Sequence, residues 1–102
     1  MMQRRPVGRT GIELSVVGLG TVHLQLLPEQ QAVDTLVRGF EHGVNWVHTA
    51  PDYGGIDPWI VRAIESSRRE VMVLTAGPAS ASDLPAFFEH ARHVYKLSLI
   101  HI

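Results

Sequence analysis

The sequence predicts an α/β fold built on a parallel sheet, and three observations lead there. Short apolar segments alternate with segments of helical periodicity through the first three-quarters of the chain, the order expected of strand–helix–strand units. Helix-start and helix-stop residues stand at the joins between them. Val71-Met72-Val73-Leu74 is continuously apolar, which suits a parallel strand buried on both faces better than a half-exposed one.

The elements follow in order. Arg4 to Val7 and Ile12 to Leu14 read as two short strands of a hairpin, with Gly8-Arg9-Thr10-Gly11 supplying the turn residues between them. Ser15-Val16-Val17-Gly18-Leu19 reads as the first strand of the sheet, ended by Gly20-Thr21. A helix is predicted from Pro28 to His42. Proline suits a first helical position because its missing N–H has no partner to lose there. Ala32, Val33, Leu36, Val37 and Phe40 fall on one face. Gly43 is placed to end that helix at low conformational cost.

Val44 to His48 reads as the next strand. Asp57-Pro58 reads as an N-cap followed by a first-turn proline, opening a short helix from Trp59 to Ser66 that turns Ile60, Val61 and Ile64 inward. The strand at 71–75 follows. Asp83 to Tyr95 reads as a third helix and Leu97 to Ile102 as a fourth strand. On pattern alone, a doubly wound sheet and a closed barrel both satisfy this order.

Composition limits the function. Of the 102 residues, 45% are hydrophobic and 19% charged, as in ordinary globular domains. A formal charge of −1 offers neither the basic footprint of a nucleic-acid binder nor a polybasic membrane patch. The absence of cysteine excludes disulfides, thiolate metal sites and cysteine nucleophiles, and fits a reducing compartment. The apolar stretch from Leu14 to Leu27 is broken by Gly18, Gly20, His23 and Gln25. It therefore reads neither as a signal peptide nor as a membrane span. The expectation is a cytoplasmic protein.

Two motifs choose between the sheet types. Gly8-Arg9-Thr10-Gly11-Ile12-Glu13-Leu14-Ser15-Val16-Val17-Gly18-Leu19-Gly20-Thr21 resembles the opening of the aldo-keto reductases, a hairpin followed by a strand ending in Gly-x-Gly-Thr. Gly43-Val44-Asn45-Trp46-Val47-His48-Thr49-Ala50-Pro51-Asp52-Tyr53-Gly54-Gly55 resembles the same family's Gly-(Ile/Val)-Asn-(aromatic)-x-Asp-Thr-Ala-x-x-Tyr-Gly, and Arg62-Ala63-Ile64 resembles the Arg-Ala-Leu of its next helix. The resemblance covers about residues 4 to 77. It implies the N-terminal portion of a (β/α)8 TIM barrel with a capping β-hairpin, spanning residues 1–102 as one partial domain. A closed barrel of this kind has about eight strands and ~250 residues, so a chain of this length is expected to leave sheet edges open.

The resemblance also implies a chemistry: reduction of an aldehyde or ketone by hydride from NADPH. A tyrosine gives the carbonyl oxygen its proton, a lysine–aspartate pair activates that tyrosine, and a histidine orients the substrate. Tyr53 matches the tyrosine. His48 stands at the aspartate position and Ala76 at the lysine position, so both members of the pair are replaced. A tyrosine of pKa ~10 is a poor proton donor at neutral pH without activation. The alternative implied by these replacements is a catalytically degenerate barrel with a binding or regulatory role.

The candidate site residues are Tyr53 and His48 for catalysis and Gly20 and Thr21 for the cofactor, NADPH. The expected partner is a small-molecule carbonyl compound. Each candidate also has a plain structural reading. Gly18 and Gly20 can simply allow close packing at a strand end, Tyr53 can be a loop residue, and His48 a hydrogen-bonded histidine of the interior. His48 can instead be a substitute acid–base group. Trp46 and Trp59 read as packing residues.

His90 and His93 have i, i+3 spacing but no evident third ligand, and zinc needs three or four, so no metal is expected. Leu99-Ile100-His101 resembles the family's fourth-strand ending, where the substrate-orienting histidine sits. Leu97-Ser98-Leu99-Ile100-His101-Ile102 also resembles translated sequencing-adapter read-through. The latter reading makes residues 97–102 non-native.

Overall fold

The computed structural model describes residues 2–50 and 53–76, together with Pro85, Ala86 and Glu89. The last three are helical and fall within the third helix expected over 83–95. The rest of that helix, the expected fourth strand and His101 lie outside the described residues.

The chain opens with an antiparallel hairpin of β1 (Arg4–Pro6) and β2 (Glu13–Ser15). Its connection needs the glycines, since Gly8 and Gly11 have φ of 52° and 77°, conformations that cost other residues steric strain. The Thr10 hydroxyl donates to the Val7 carbonyl and closes the turn.

After the hairpin come β3 (Leu19–Gly20), a 3-10 turn at Val22–Leu26, α1 (Glu29–Glu41), β4 (Trp46–Thr49), α2 (Asp57–Ser67) and β5 (Met72–Thr75). The sheet order is β3-β4-β5 and both pairings are parallel. The alternation read from the sequence is therefore correct over the described residues, and the helices expected at 28–42 and 57–66 and the strands expected at 44–48 and 71–75 are found to within one or two residues. Pro28 proves to be the residue before α1 rather than its first member, and Ile56 rather than Asp57 precedes α2. Gly43, at φ 102°, ends the α1 turn as expected.

Three expectations need correction. The strand expected over 15–19 is reduced to Leu19–Gly20, and Ser15 belongs to the hairpin. The Ser15 hydroxyl donates to the Val17 carbonyl at 2.6 Å, and such a local side-chain-to-backbone bond competes with the ladder. Val16 and Val17 are consequently exposed. Secondly, β5 is half-buried at every residue rather than covered on both faces. It forms an edge of the described sheet, and among the described residues its Val73 packs against the helix-side core. Thirdly, α2 buries Ile60 and Ala63 most deeply, while Val61 and Ile64 are half-buried.

Both helices lie on the same face of the sheet. Val33, Leu36 and Phe40 of α1 and Ile60 and Ala63 of α2 form one cluster with Val47, Ile56 and Val71, and Leu19 and Val73 pack against it. Fully burying each large apolar side chain here contributes roughly 1.5–3 kcal/mol. On the outer surface, Arg62 of α2 donates to Glu29 and Gln30 at the start of α1. Both partners of the ion pair are about half exposed, so it adds little stability.

The hairpin is fastened to the sheet by Asn45 and Trp46. The Asn45 carboxamide accepts from the Ser15 N–H at 2.7 Å and donates to the Glu13 carbonyl at 2.9 Å. Its own N–H donates to the Ser15 hydroxyl, and the Trp46 indole N–H donates to the Ser15 carbonyl at 2.9 Å. The hairpin thus sits at the N-terminal ends of β4 and β5, as a cap on that end requires.

A cavity of about 520 Å³ lies between hairpin and sheet there, with Ile12, Leu14, Phe40, Val44 and Val71 in its lining. Gly18 lies flat against the Trp46 indole, so closely that any Cβ would enter the ring. Gly18→Ala is therefore expected to displace the indole and its bond to Ser15, at a cost of ~1–3 kcal/mol. Urea unfolding of the full-length protein would read this as a lower midpoint at unchanged slope.

Candidate active site

Side chains alternate across a strand, so paired residues of parallel neighbours share a face. Gly20 is in register with His48, and His48 with Leu74; Trp46 pairs with Met72. These residues occupy the face away from the helices. Val47 and Val73, one step out of phase, occupy the packed face. His48 is exposed on the open face, near the C-terminal end of β4.

Beyond β4 the chain turns back toward α2. The Tyr53 N–H donates to the Ala50 carbonyl at 3.2 Å, and Gly54 and Gly55 follow with φ of 71° and 72°. Gly54 is doubly constrained, because the Gln25 side chain of the 3-10 turn fills the space where a Cβ would stand. This turn carries the half-buried Tyr53 ring to His48. The two rings meet edge to face, with centroids 6.1 Å apart and an interplanar angle of 66°. Two candidates 5 positions apart in sequence thus form one aromatic pair at the sheet's C-terminal end.

Thr21 and Gly20 stand at the same end. Thr21 is fully buried, and its hydroxyl donates to the His48 carbonyl at 2.8 Å. Its side chain is committed to holding the β3 end against the histidine backbone. Gly20 is exposed, and a Cβ there would meet nothing within 4 Å, so among the described residues the space beside His48 is open on the β3 side.

Thr49, also fully buried, donates to an Asp57 carboxylate oxygen at 3.3 Å and ties the end of β4 to the start of α2. Ala76 is exposed just past β5, with its N–H on the Thr49 carbonyl at 2.9 Å. The positions matching the family's aspartate and lysine therefore lie at neighbouring strand ends.

Sequence reasoning gave no role to Asn45 or to the Thr49–Asp57 tie. Asn45 had a usable signal, since a residue poor in strand propensity stands immediately before an apolar strand. The Thr49 contact had none, because its partner lies across a turn.

A nicotinamide dinucleotide asks for a surface beside its ring and cationic or N–H donors for its phosphates. The open approach at Gly20 and the rings of His48 and Tyr53 suit the first demand. The described arginines do not serve the second. Arg4, Arg5 and Arg9 belong to the hairpin region, Arg38 and Arg62 to exposed helix surface, and Arg68 and Arg69 to the turn entering β5. The described residues thus offer a surface for a flat ring at this rim, and none of the described arginines lies there to meet a phosphate.

Among the described residues, no group of three or more histidine, aspartate or glutamate side chains is placed to hold a metal; His90 and His93 lie outside them. No helix among them is long and apolar enough to cross a membrane.

Comparison with solved structures decides the fold family. A crystal structure of a Pseudomonas aeruginosa protein, provisionally classed as an aldo-keto reductase, superposes with a TM-score of 0.79 over 96% of this chain at 24% identity. This chain has part of the aldo-keto reductase fold. A second Pseudomonas aeruginosa structure, again provisionally classed as an aldo-keto reductase, gives a TM-score of 0.76 over 96% of the chain at 27% identity. An aldo-keto reductase from Bacillus halodurans, in its holo form, gives 0.75 over 98% at 19%.

The chain spans only 44%, 43% and 38% of those three proteins, so it corresponds to a portion of an aldo-keto reductase barrel and not to a closed one. No family model matches the chain, and no curated protein does. In an aldo-keto reductase barrel, the face carrying Trp46, His48, Met72 and Leu74 is the interior. Chemistry in barrels of this class sits at the C-terminal ends of the strands, the end where His48 and Tyr53 meet.

Proposed function

We propose that this segment belongs to an NADPH-dependent oxidoreductase that reduces aldehydes or ketones to alcohols. The observation carrying this reading is the Tyr53 ring held edge-on to the exposed His48 at the C-terminal end of a parallel sheet. A phenol and an imidazole on one rim can hold a carbonyl oxygen between them and deliver a proton to it. The bound nicotinamide would supply the hydride.

The other steps fall to this chain. Tyr53 donates its hydroxyl proton to the carbonyl oxygen as that oxygen gains negative charge. His48, with its main chain fixed by Thr21, sets the direction from which the oxygen approaches. Gly20 would leave room for the nicotinamide ring beside the imidazole. Phosphate binding falls to parts of the barrel beyond these residues. A cysteine-free composition suits a reducing cytoplasm.

The second reading is a degenerate barrel that binds a nucleotide or partner without turnover. Its support is the joint replacement of the aspartate and lysine positions by His48 and Ala76. The test is carbonyl-dependent NADPH oxidation by the full-length protein against a panel of short aldehydes and ketones. The expected result is slow turnover that His48→Ala reduces about tenfold or more, with the circular-dichroism spectrum unchanged. NADPH binding without turnover on any carbonyl would favour the second reading.

A further inference from the structure

We infer that the His48–Tyr53 pair also catalyses proton transfer at the carbon next to a carbonyl, enolising small ketones without any cofactor. This inference shares with the preceding section the premise that a carbonyl compound binds at this rim. Hydride transfer needs an electron donor, whereas enolisation needs only an acid at the oxygen and a base at the α-carbon. The rim has both kinds of group on one side of a sheet, with ring centroids 6.1 Å apart.

The ordinary family arrangement puts a carboxylate and an ammonium where this chain has His48 and Ala76. A carboxylate engaged by an ammonium is a poor base for a carbon acid. An imidazole not held by a counter-charge can serve as such a base. No hydrogen bond engages the His48 ring among the described residues, and the side chain is exposed on the open face. Its two neighbours in register are Gly20, with empty space where a side chain would be, and the apolar Leu74. Among the described residues a small ketone therefore has room beside the imidazole and the apolar Leu74 under its carbons.

The step balances without a co-reactant. The His48 imidazole takes a proton from the α-carbon. The electron pair of that C–H bond becomes the new C=C bond, and the carbonyl π pair moves onto oxygen, which takes the Tyr53 hydroxyl proton. The products are an enol, a tyrosinate and an imidazolium. The reverse step returns a solvent-derived proton to carbon, so the net result in heavy water is exchange of the α-hydrogens for deuterium.

The experiment follows the α-hydrogen signals of cyclohexanone by proton NMR in deuterated buffer, with the full-length protein and no added NADPH. Saturation-transfer difference spectra on the same samples report whether the ketone binds. The expected result is exchange about a hundredfold faster than in the buffer alone, lost in His48→Gln and at least about tenfold slower in Tyr53→Phe. Binding without exchange, or exchange indifferent to His48→Gln, overturns the inference while leaving carbonyl reduction standing, because NADPH oxidation is read separately. Absence of ketone binding overturns the inference, and carbonyl reduction then stands or falls on NADPH oxidation with the aldehyde panel.

Discussion

Replacing Asn45 by leucine is expected to destabilise the full-length protein by ~2–4 kcal/mol, the sum of a lost hydrogen bond and a buried N–H left without a partner. Ser15 is buried, and its N–H has the Asn45 carboxamide as acceptor at 2.7 Å. Leucine of similar volume fills the space but accepts nothing, and the Glu13 carbonyl loses its donor as well. The graded comparison is Ser15→Ala. It removes the hydroxyl that accepts from the Asn45 N–H but leaves both carboxamide bonds intact, and should cost only about 0.5–1.5 kcal/mol. Urea unfolding checks both. Equal losses in the two variants would mean that the carboxamide is not what fastens the hairpin.

The larger effect on activity is expected from the joint replacement of His48 by aspartate and Ala76 by lysine. The Ala76 N–H is bonded to the Thr49 carbonyl, next along the chain from His48, so the two new side chains would start from adjacent strand ends. A cation within ~4–6 Å of an acidic hydroxyl favours its ionised form and so makes a phenol a better proton donor.

Both positions are exposed in this chain. Enclosure by the remainder of a barrel would desolvate them, and a lysine introduced alone would then lose ~3–5 kcal/mol for want of its carboxylate. The double replacement is therefore expected to raise kcat for aldehyde reduction about tenfold to a thousandfold. Ala76→Lys alone should lower stability without that gain. The initial rate of NADPH oxidation and the urea midpoint together separate these outcomes.

The fold was legible because its determinants are local. The apolar face of α1, the helix stop at Gly43 and the apolar strand before Ala76 each announce themselves over a few residues. The misplaced strand shows where locality fails. Val16 and Val17 look like strand interior, yet Ser15 is claimed by Asn45 and Trp46, 30 and 31 residues away, and the valines are turned outward.

The burial of β5 was overestimated for a related reason. An apolar strand reports that both faces suit burial, but the neighbours that would cover the second face are not among the described residues.

The site was legible in part. Tyr53 and His48 were legible through a motif, and their meeting follows from the tight Gly54-Gly55 turn. Thr21 reads from the sequence as a cofactor-facing residue, and its hydroxyl also serves the His48 carbonyl. A sequence cannot display that choice, because a threonine at a strand end satisfies a backbone acceptor or a ligand equally well.

The most direct test of the assignment is the effect of Tyr53→Phe on aldehyde-dependent NADPH oxidation by the full-length protein. The substitution removes one oxygen from a half-buried ring that packs on the core, so the fold and the contact with His48 should persist. If Tyr53 gives the carbonyl oxygen its proton, kcat falls about a hundredfold or more while NADPH affinity stays the same. An unchanged kcat in a correctly folded variant would contradict the assignment, because the proton would then come from a group other than the tyrosine on this rim.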